Sequence, residues 1–313
     1  MIATVTPNPS IDRTVEVDHL DRGKTLRCSD AHVDPGGKGL NLARALIQNA
    51  VPSLAIFPAG GDEGSQLGGL IERSGVEVAP IPIGQAVRTN ITVAEPDGTV
   101  TKLNVPGPEL EPEEVENLLS ATVEAAAGAE WVVGCGSLPP GAPPDFYAGL
   151  LDRLADAPCE VAIDSSGPAF DLAIDHRPSL VKPNRDELAE ATGRAIDTLG
   201  DVVAAAEQLR SRGIARVLVS LGADGAVLVD DGGAVHGETA PIVVRSAIGA
   251  GDAMLAGFLA AGGDGPKALA NALAWGAAAA SLPGSRMPAP TDLDHDAVRV
   301  HDRLDGDRTL GRD

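Results

Sequence analysis

One segment of the chain, Ser246-Ala247-Ile248-Gly249-Ala250-Gly251-Asp252-Ala253-Met254, combines the residue types that phosphoryl chemistry needs. Two glycines open a helical run, Leu255–Ala261, so backbone amides can converge where the helix N-terminus adds positive potential. The Gly249, Ala250 and Gly251 amides would form an anion hole for a transferring phosphoryl group. Asp252, in the first helical turn, would sit beside that group and could accept a hydroxyl proton as the oxygen attacks phosphorus. The bland alternative is a glycine-rich helix start with a capping aspartate. Two rival phosphate motifs fail. A Walker A loop would need Gly at His32 and Ser or Thr after Gly37-Lys38, and a dinucleotide GxGxxG starting at Gly249 ends on Met254 instead of glycine.

A second constellation is Asp34-Pro35-Gly36-Gly37-Lys38-Gly39-Leu40-Asn41, whose glycines let a ligand approach the backbone and whose Asn41 could bind sugar hydroxyls. Upstream, Asp12 lies among Asn8, Pro9 and Ser10 just after a first strand, Ile2–Thr6. What must position these residues is legible in the alternation of short apolar runs with helical-period stretches, the βαβα pattern of a parallel sheet covered by helices. Strands are expected at Leu54–Pro58, Trp131–Val133, Glu160–Ile163, Leu180–Val181, Val217–Ser220 and Ala226–Val229. Helices are expected at Gly39–Gln48, Ser65–Ser74, Glu111–Ala127, Asp145–Leu154, Arg185–Thr192, Asp201–Arg212, Gly251–Ala261 and Gly265–Ser281.

Two regions break the alternation. Thr14–Val17 and Leu26–Val33 read as strands joined through Asp21-Arg22-Gly23, and Asn90–Glu95 and Thr99–Asn104 flank a Pro96-Asp97-Gly98 hairpin turn. With no helices to cover them, these four strands imply a small separate sheet. The expected division is therefore an α/β domain from 1–11, 34–86 and 106–313, with a β-sheet lid from 12–33 and 87–105. The polar tail after His301 reads as frayed.

The 313 residues include 24 Lys and Arg against 45 Asp and Glu, a formal charge of −21 that leaves no cationic surplus for a nucleic-acid backbone. Lysine occurs only at Lys24, Lys38, Lys102, Lys182 and Lys267, and aromatics are 2 %. An acidic, lysine-poor surface with a light core suits concentrated salt, where like-charge repulsion is screened within about 3 Å near 1 M. The three cysteines, Cys28, Cys135 and Cys159, form no CxxC pair and indicate neither disulfides nor zinc. No signal peptide is read at the N-terminus, and the longest apolar run, Ala272–Leu282, falls short of the ~18 residues a membrane span requires. A soluble cytoplasmic protein with no membrane partner is expected.

Six segments together resemble the ribokinase-like phosphofructokinase B family of sugar kinases. They are Asn8-Pro9-Ser10-Ile11-Asp12, Gly36-Gly37-Lys38-Gly39-Leu40-Asn41, Gly136-Ser137-Leu138-Pro139-Pro140-Gly141, Lys182-Pro183-Asn184-Arg185-Asp186-Glu187, Ser220-Leu221-Gly222-Ala223-Asp224-Gly225 and Gly249-Ala250-Gly251-Asp252. They occur in the family's order and spacing from Ile2 to about Arg286, and the nearest branch is the kinases of fructose 1-phosphate, fructose 6-phosphate and tagatose 6-phosphate. The resemblance implies a three-layer α/β/α sandwich with a mostly parallel sheet and a small β-sheet lid, through which subunits pair as a homodimer. It implies an ATP- and Mg²⁺-dependent kinase acting on a ketohexose phosphate, fructose 1-phosphate ahead of the other two, with a non-catalytic sugar-phosphate sensor as the rival of another class.

By the same resemblance Asp252 is the catalytic base, and Asp12, Gly36, Gly37, Lys38, Asn41, Arg88, Asn90 and Ser137 bind the sugar phosphate. Lys182, Asn184, Ser220, Gly222, Gly225, Gly249 and Gly251 serve ATP. Asn184 and Glu187 form the family's N-x-x-E motif, associated with Mg²⁺ and its waters. Ser246, Ile248, Gly284 and Arg286 stand where relatives bind a monovalent cation, K⁺, through backbone carbonyls. Lys24 or Arg27 corresponds to basic lid residues that reach phosphate. Lys38 favours the 1-phosphate and tagatose members, whereas Gly23-Lys24 with Leu26-Arg27-Cys28 resembles the 6-phosphate enzymes. Ala247 departs from the threonine common in relatives, and Cys135 from their serine; Cys135 reads as packing.

Overall fold

Runs such as Val217-Leu218-Val219 are apolar at every position because they form strands covered on both faces. The computed structural model describes residues 1–311. In chain order the N-terminal part contains β1 (Ile2–Val5), β2 (Ser10–Glu16), β3 (Asp30–Gly36), α1 (Lys38–Gln48), β4 (Ser53–Ala59), α2 (Gly61–Arg73), β5 (Glu77–Pro82), β6 (Arg88–Ala94) and β7 (Val100–Leu103). Then come α3 (Pro112–Ala126), β8 (Trp131–Cys135), α4 (Phe146–Arg153), β9 (Glu160–Asp164), α5 (Pro168–Ala173), β10 (Leu180–Val181), α6 (Arg185–Thr192) and α7 (Leu199–Arg210). The last elements are β11 (Arg216–Ser220), β12 (Ala226–Asp230), β13 (Gly233–Thr239), α8 (Ala250–Ala260), α9 (Gly265–Ala280) and β14 (Val298–Val300).

Ten strands form one sheet in the order β5-β4-β1-β8-β9-β10-β11-β12-β13-β14. From β5 to β11 every pairing is parallel, and the last three strands are added antiparallel. Alternate residues feed opposite faces: Val132 packs with α3, α4 and α7, whereas Trp131 and Val133 pack with α1, α8 and α9. The result is the three-layer sandwich. Chain order runs outward from β1 in both directions, to β4 and to β8, so β1 is the point where loops at the carboxyl ends diverge and leave a crevice. Helix α8 is apolar all round and buried from Asp252 to Leu259, so its N-terminus is delivered to that crevice from inside the protein.

A second sheet, ordered β3-β2-β6-β7, stands over the crevice. Its first strands differ from the expected ones. Pairing begins at Ser10↔Gly36 and ends at Glu16↔Asp30, so residues 26–29 lie in a long loop rather than a strand. The sheet therefore extends past the expected 12–33 segment at both ends, because Ser10 and Ile11 bury into the main core while still pairing with β3 and β6. Strands β5, β13 and β14 and helix α5 escaped the pattern. Strand β5 carries Pro80 and Pro82, tolerated because it is an edge, and β13 is interrupted by Gly233 and Gly237.

Residues 302–311 are ordered, contrary to the frayed end expected from the polarity of the tail after His301. Backbone bonds join Leu199 N–H to Arg308 O, and Leu310 N–H to Asp197 O; Leu310 is buried, and the Gly311 N–H donates to Asp224 Oδ2 at 2.7 Å. A polar segment with one apolar anchor is held by backbone bonds that composition does not reveal. No helix among the described residues is long and apolar enough to cross a membrane.

Candidate active site

The loops that carry chemistry leave the carboxyl ends of parallel strands: Thr6–Ser10 after β1, Gly136-Ser137 after β8, Ser165-Ser166 after β9, Lys182-Pro183-Asn184 after β10. They converge with Gly37, Lys38 and Asn41 of the α1 start, the Gly249–Asp252 turn and the inner face of the second sheet on a cavity of about 660 Å³. A second void of about 860 Å³ adjoins it, sharing Ser220, Ala247 and Gly251. Gly222 and Gly225 line this void beside Met254 and Leu273, an apolar chamber of the right kind for a flat base.

Gly249 caps α8 in the left-handed region, φ 76°, and a Cβ there would come within 2.6 Å of Met287 Cε. That turn places Asp252 on the first helical turn, buried yet on the cavity wall. Its Oδ2 accepts a hydrogen bond from Asn41 Nδ2 at 2.9 Å. Burial first, then the nearby charge of Asp164, push its carboxyl up to about 6; the Asn41 bond, Lys182 and Lys38 temper the rise. A carboxylate titrating just below neutrality is suited to take up a proton during reaction and release it afterwards. Asn41 thus orients the acid in addition to facing the cavity.

Beside it lies a buried charge cluster that the motif reading missed. Asp164, at the end of β9, is fully buried and ion-paired with Lys38 Nζ at 2.9 Å and Lys182 Nζ at 3.3 Å. Burial opposes its ionisation, but the two lysines outweigh that and hold it below the usual carboxylate range. Asp164 in turn raises the Lys38 pKa. Lys38 also lies 3.9 Å from Glu187, so it faces the N-x-x-E side of the cavity as well as the Gly36–Asn41 loop that carries it. The signal for Asp164 was an acid at the carboxyl end of a buried strand, followed by Ser165-Ser166-Gly167.

On the opposite wall Asp12 Oδ1 accepts from Ser10 Oγ at 2.7 Å and from Asn90 Nδ2 at 3.0 Å, leaving its second oxygen for a ligand. Gly36 does not line the cavity; it is glycine because a Cβ would collide with the Asp12 carboxylate. Arg88 reaches the cavity, but three of its five N–H groups are directed at backbone carbonyls of Asn8, Pro9 and Val105. Asn8 Nδ2 donates to Pro106 O at 2.9 Å and to Ser137 Oγ at 3.4 Å, while the buried Asn8 Oδ1 and Thr6 Oγ1 have no protein partner. Both atoms are fully buried, Asn8 Oδ1 against Gly107 and Thr6 Oγ1 against Gly39.

Asn184 and Glu187 form a reciprocal cap at the start of α6: Glu187 N–H donates to Asn184 Oδ1 and Asn184 N–H to Glu187 Oε2, both at 2.8 Å. Glu187 Oε1 is left toward the cavity and Lys38, a hard oxygen donor of the type Mg²⁺ takes together with phosphates and waters. Among the described residues no group of three or more His, Cys, Asp or Glu could hold a metal ion, so a divalent ion here would arrive mostly ligated by its substrate. The segments of the expected monovalent site are neighbours: Ser246 N–H donates to Ala280 O at the end of α9, and Gly284 and Arg286 follow in the next turn. Of these four residues Ile248 alone lines the cavity, and Lys24 and Arg27 lie away from it. Cys135 is fully buried in the core, and burial raises its thiol well above the usual range, which fits packing.

Residues 5–292 match the model of the pfkB family of carbohydrate kinases. The chain belongs to that family. A 1-phosphofructokinase of Haloferax volcanii is 38% identical over 94% of this chain and 95% of its own. An ATP-dependent 6-phosphofructokinase isozyme 2 of Mycobacterium tuberculosis is 37% identical over 82% of this chain and 76% of its own. Among solved structures, the phosphofructokinase-2 of Escherichia coli in complex with potassium superposes with a TM-score of 0.88 at 31% identity, covering 93% of this chain and 96% of that one. As a pfkB kinase the protein is a phosphotransferase acting on a sugar hydroxyl, with the ribokinase-like fold.

Proposed function

We propose that this pfkB kinase phosphorylates fructose 1-phosphate with ATP, giving fructose 1,6-bisphosphate and ADP, with Asp252 as general base. The observation that carries the reading is the buried Asp252 carboxylate, raised to about 6, hydrogen-bonded to Asn41 at the mouth of the Gly249–Gly251 turn. In the reaction the acceptor hydroxyl gives its proton to Asp252 as its oxygen bonds to the γ-phosphorus and the bond to the ADP oxygen breaks. The amides of the turn and the Lys182 ammonium meet the charge that develops on the phosphoryl oxygens. Lys38 keeps Asp164 ionised and in place. Mg²⁺, held through Glu187 and the nucleotide phosphates, would supply further charge neutralisation. The adenine would occupy the apolar chamber, and the sugar the wall of Asp12, Asn90, Asn41 and Ser137.

Relatives named for both fructose phosphates share this degree of identity, so the acceptor is decided by initial rates. ADP formation with fructose 1-phosphate, fructose 6-phosphate and tagatose 6-phosphate, measured in molar KCl, should favour fructose 1-phosphate. A preference for a 6-phosphate would replace that acceptor, and binding without ADP would support a sensor instead. We further propose that the second sheet is a lid whose outer face pairs two copies: Ile91 and Leu103 are directly opposite one another and exposed on the face away from Asp12 and Asn90. Light scattering of Leu103→Asp, expected to give a monomer, tests this.

A further inference from the structure

The segment after β14 reaches the apolar chamber from behind, without lining it. It runs antiparallel to the entry of α7: Gly200 N–H donates to Gly306 O, Leu199 N–H to Arg308 O and Leu310 N–H to Asp197 O. With Leu310 buried as an anchor, the segment is fixed and presents Arg308 and Gly311 to two elements of the site.

The first is the turn Gly222–Asp224 that follows β11. Within itself it is held by backbone bonds, Asp224 N–H to Leu221 O and Gly225 N–H to Gly222 O. Gly222, Ala223 and Gly225 line the chamber; Asp224 does not, and instead ties the turn to its surroundings. Its Oδ2 accepts from Gly311 N–H at 2.7 Å, its Oδ1 lies 3.5 Å from Arg308 Nη2, and its carbonyl accepts from His236 Nε2 at 2.9 Å. The other arm of Arg308, Nη1, lies 2.8 Å from Oε2 of Glu238, a residue of β13 that does line the chamber. Glu238 Oε1 meets His301 Nε2 at 2.9 Å, and the His301 ring stacks on His236. The second element is the start of α6. Gly311 O accepts from Arg185 Nη1 at 2.7 Å, and Arg185 directly follows Asn184 of the N-x-x-E motif.

We propose that Arg308 is a positioning residue for the nucleotide: by bridging Asp224 and Glu238 it holds the Gly222–Gly225 turn against β13 in the shape that accepts the base. It touches no ligand itself. Without the bridge two carboxylates on facing elements repel, and a turn closed by backbone bonds alone opens; affinity then falls with the fraction of molecules still closed. The fork of an arginine reaches both acids at once, whereas a lysine reaches one. The proposal rests on the chamber holding the nucleotide, as in the kinase reading above, and is independent of which sugar phosphate is the acceptor.

The test compares wild type with Arg308→Ala, Arg308→Lys and, as a control for loss of one exposed cation, Lys267→Ala on α9, with each substrate varied in turn. Arg308→Ala should raise KM for ATP about three- to tenfold, as expected for losing two partly exposed ion pairs that favour one conformer. KM for fructose 1-phosphate should hold, and Arg308→Lys should fall between Arg308→Ala and wild type. A general loosening of the fold would raise both KM values together. That result, or a KM for ATP no higher than in Lys267→Ala, would overturn the proposal. If thermal unfolding shows Arg308→Ala to be unfolded at the assay temperature, Arg308→Lys decides, and an unchanged KM for ATP there refutes it. If wild type phosphorylated no sugar phosphate, the activity reading would fail separately. Arg308 would then be judged by calorimetric titration with ADP in the presence of Mg²⁺, where equal affinity in wild type and Arg308→Ala refutes the positioning role.

Discussion

Replacing Asp252 by Asn should abolish turnover and at the same time stabilise the fold. A carboxylate raised from 3.8 to about 6 is held charged at neutral pH against its surroundings. The difference of 2.2 pH units corresponds to about 3 kcal/mol of folding stability sacrificed above pH 7. The sign follows from proton counting. Between 3.8 and 6 the native state binds more protons than the unfolded chain, so this cost fades as pH falls and vanishes below both values. The neutral amide escapes it while still meeting Asn41 through its carbonyl oxygen. Asp252→Asn should therefore be more stable than wild type by up to about 3 kcal/mol at pH 7.5 and by about half that at pH 5. Urea unfolding of both proteins at the two pH values, in the same salt, measures this, and turnover should fall by at least about 10²–10⁴-fold. A variant no more stable than wild type at pH 7.5, or a gap that ignores pH, would refute the idea that the site stores an unfavourable buried charge.

Three further outcomes follow from the same geometry. Asn41→Leu removes the hydrogen bond that tempers Asp252, so the acid limb of the kcat/KM profile should move up by about one to two pH units. Asp164→Asn removes the charge that helps raise Asp252, so that limb should move to lower pH while kcat falls as Lys38 and Lys182 lose their shared partner. Gly36→Ala forces a methyl group against Asp12, so KM for the sugar phosphate should rise while KM for ATP holds, as steady-state kinetics with each substrate varied would report.

The parallel core was legible because strands buried on both faces are apolar without interruption, and the helices because amphipathic stripes separate them. Strand β5 was not, since Pro80 and Pro82 look like loop residues until an edge position tolerates them. The lid hairpin was displaced because register depends on where Ser10 and Ile11 bury, a tertiary fact absent from the Asp21-Arg22-Gly23 turn signal. In the site, Asp252 and Asn41 could be read from glycine-rich helix starts, whose backbone demands leave a mark on composition. Asp164 could not. It is an ordinary residue on a strand, and what it does depends on what faces it across the fold.

The placement of charge gives the site a logic of its own. A protein with a net charge of −21 must admit a nucleoside triphosphate and a second anionic ligand to one cavity, against the long-range repulsion of its own surface. In the concentrated salt that this composition would suit, most of that repulsion would be screened together with long-range attraction, and cations would help only where they touch. A surface depleted of lysine therefore costs such a protein little, while lysines kept within contact range of the cavity retain their full effect. Lys38 and Lys182 follow this pattern around Asp164. That acid raises the proton affinity of Asp252 and anchors both lysines, so in the proposed mechanism one carboxylate both tunes the base and fixes the cations that would face the phosphoryl group. On that mechanism base strength and phosphate affinity are set by one buried residue, and a substitution there should not change one without the other.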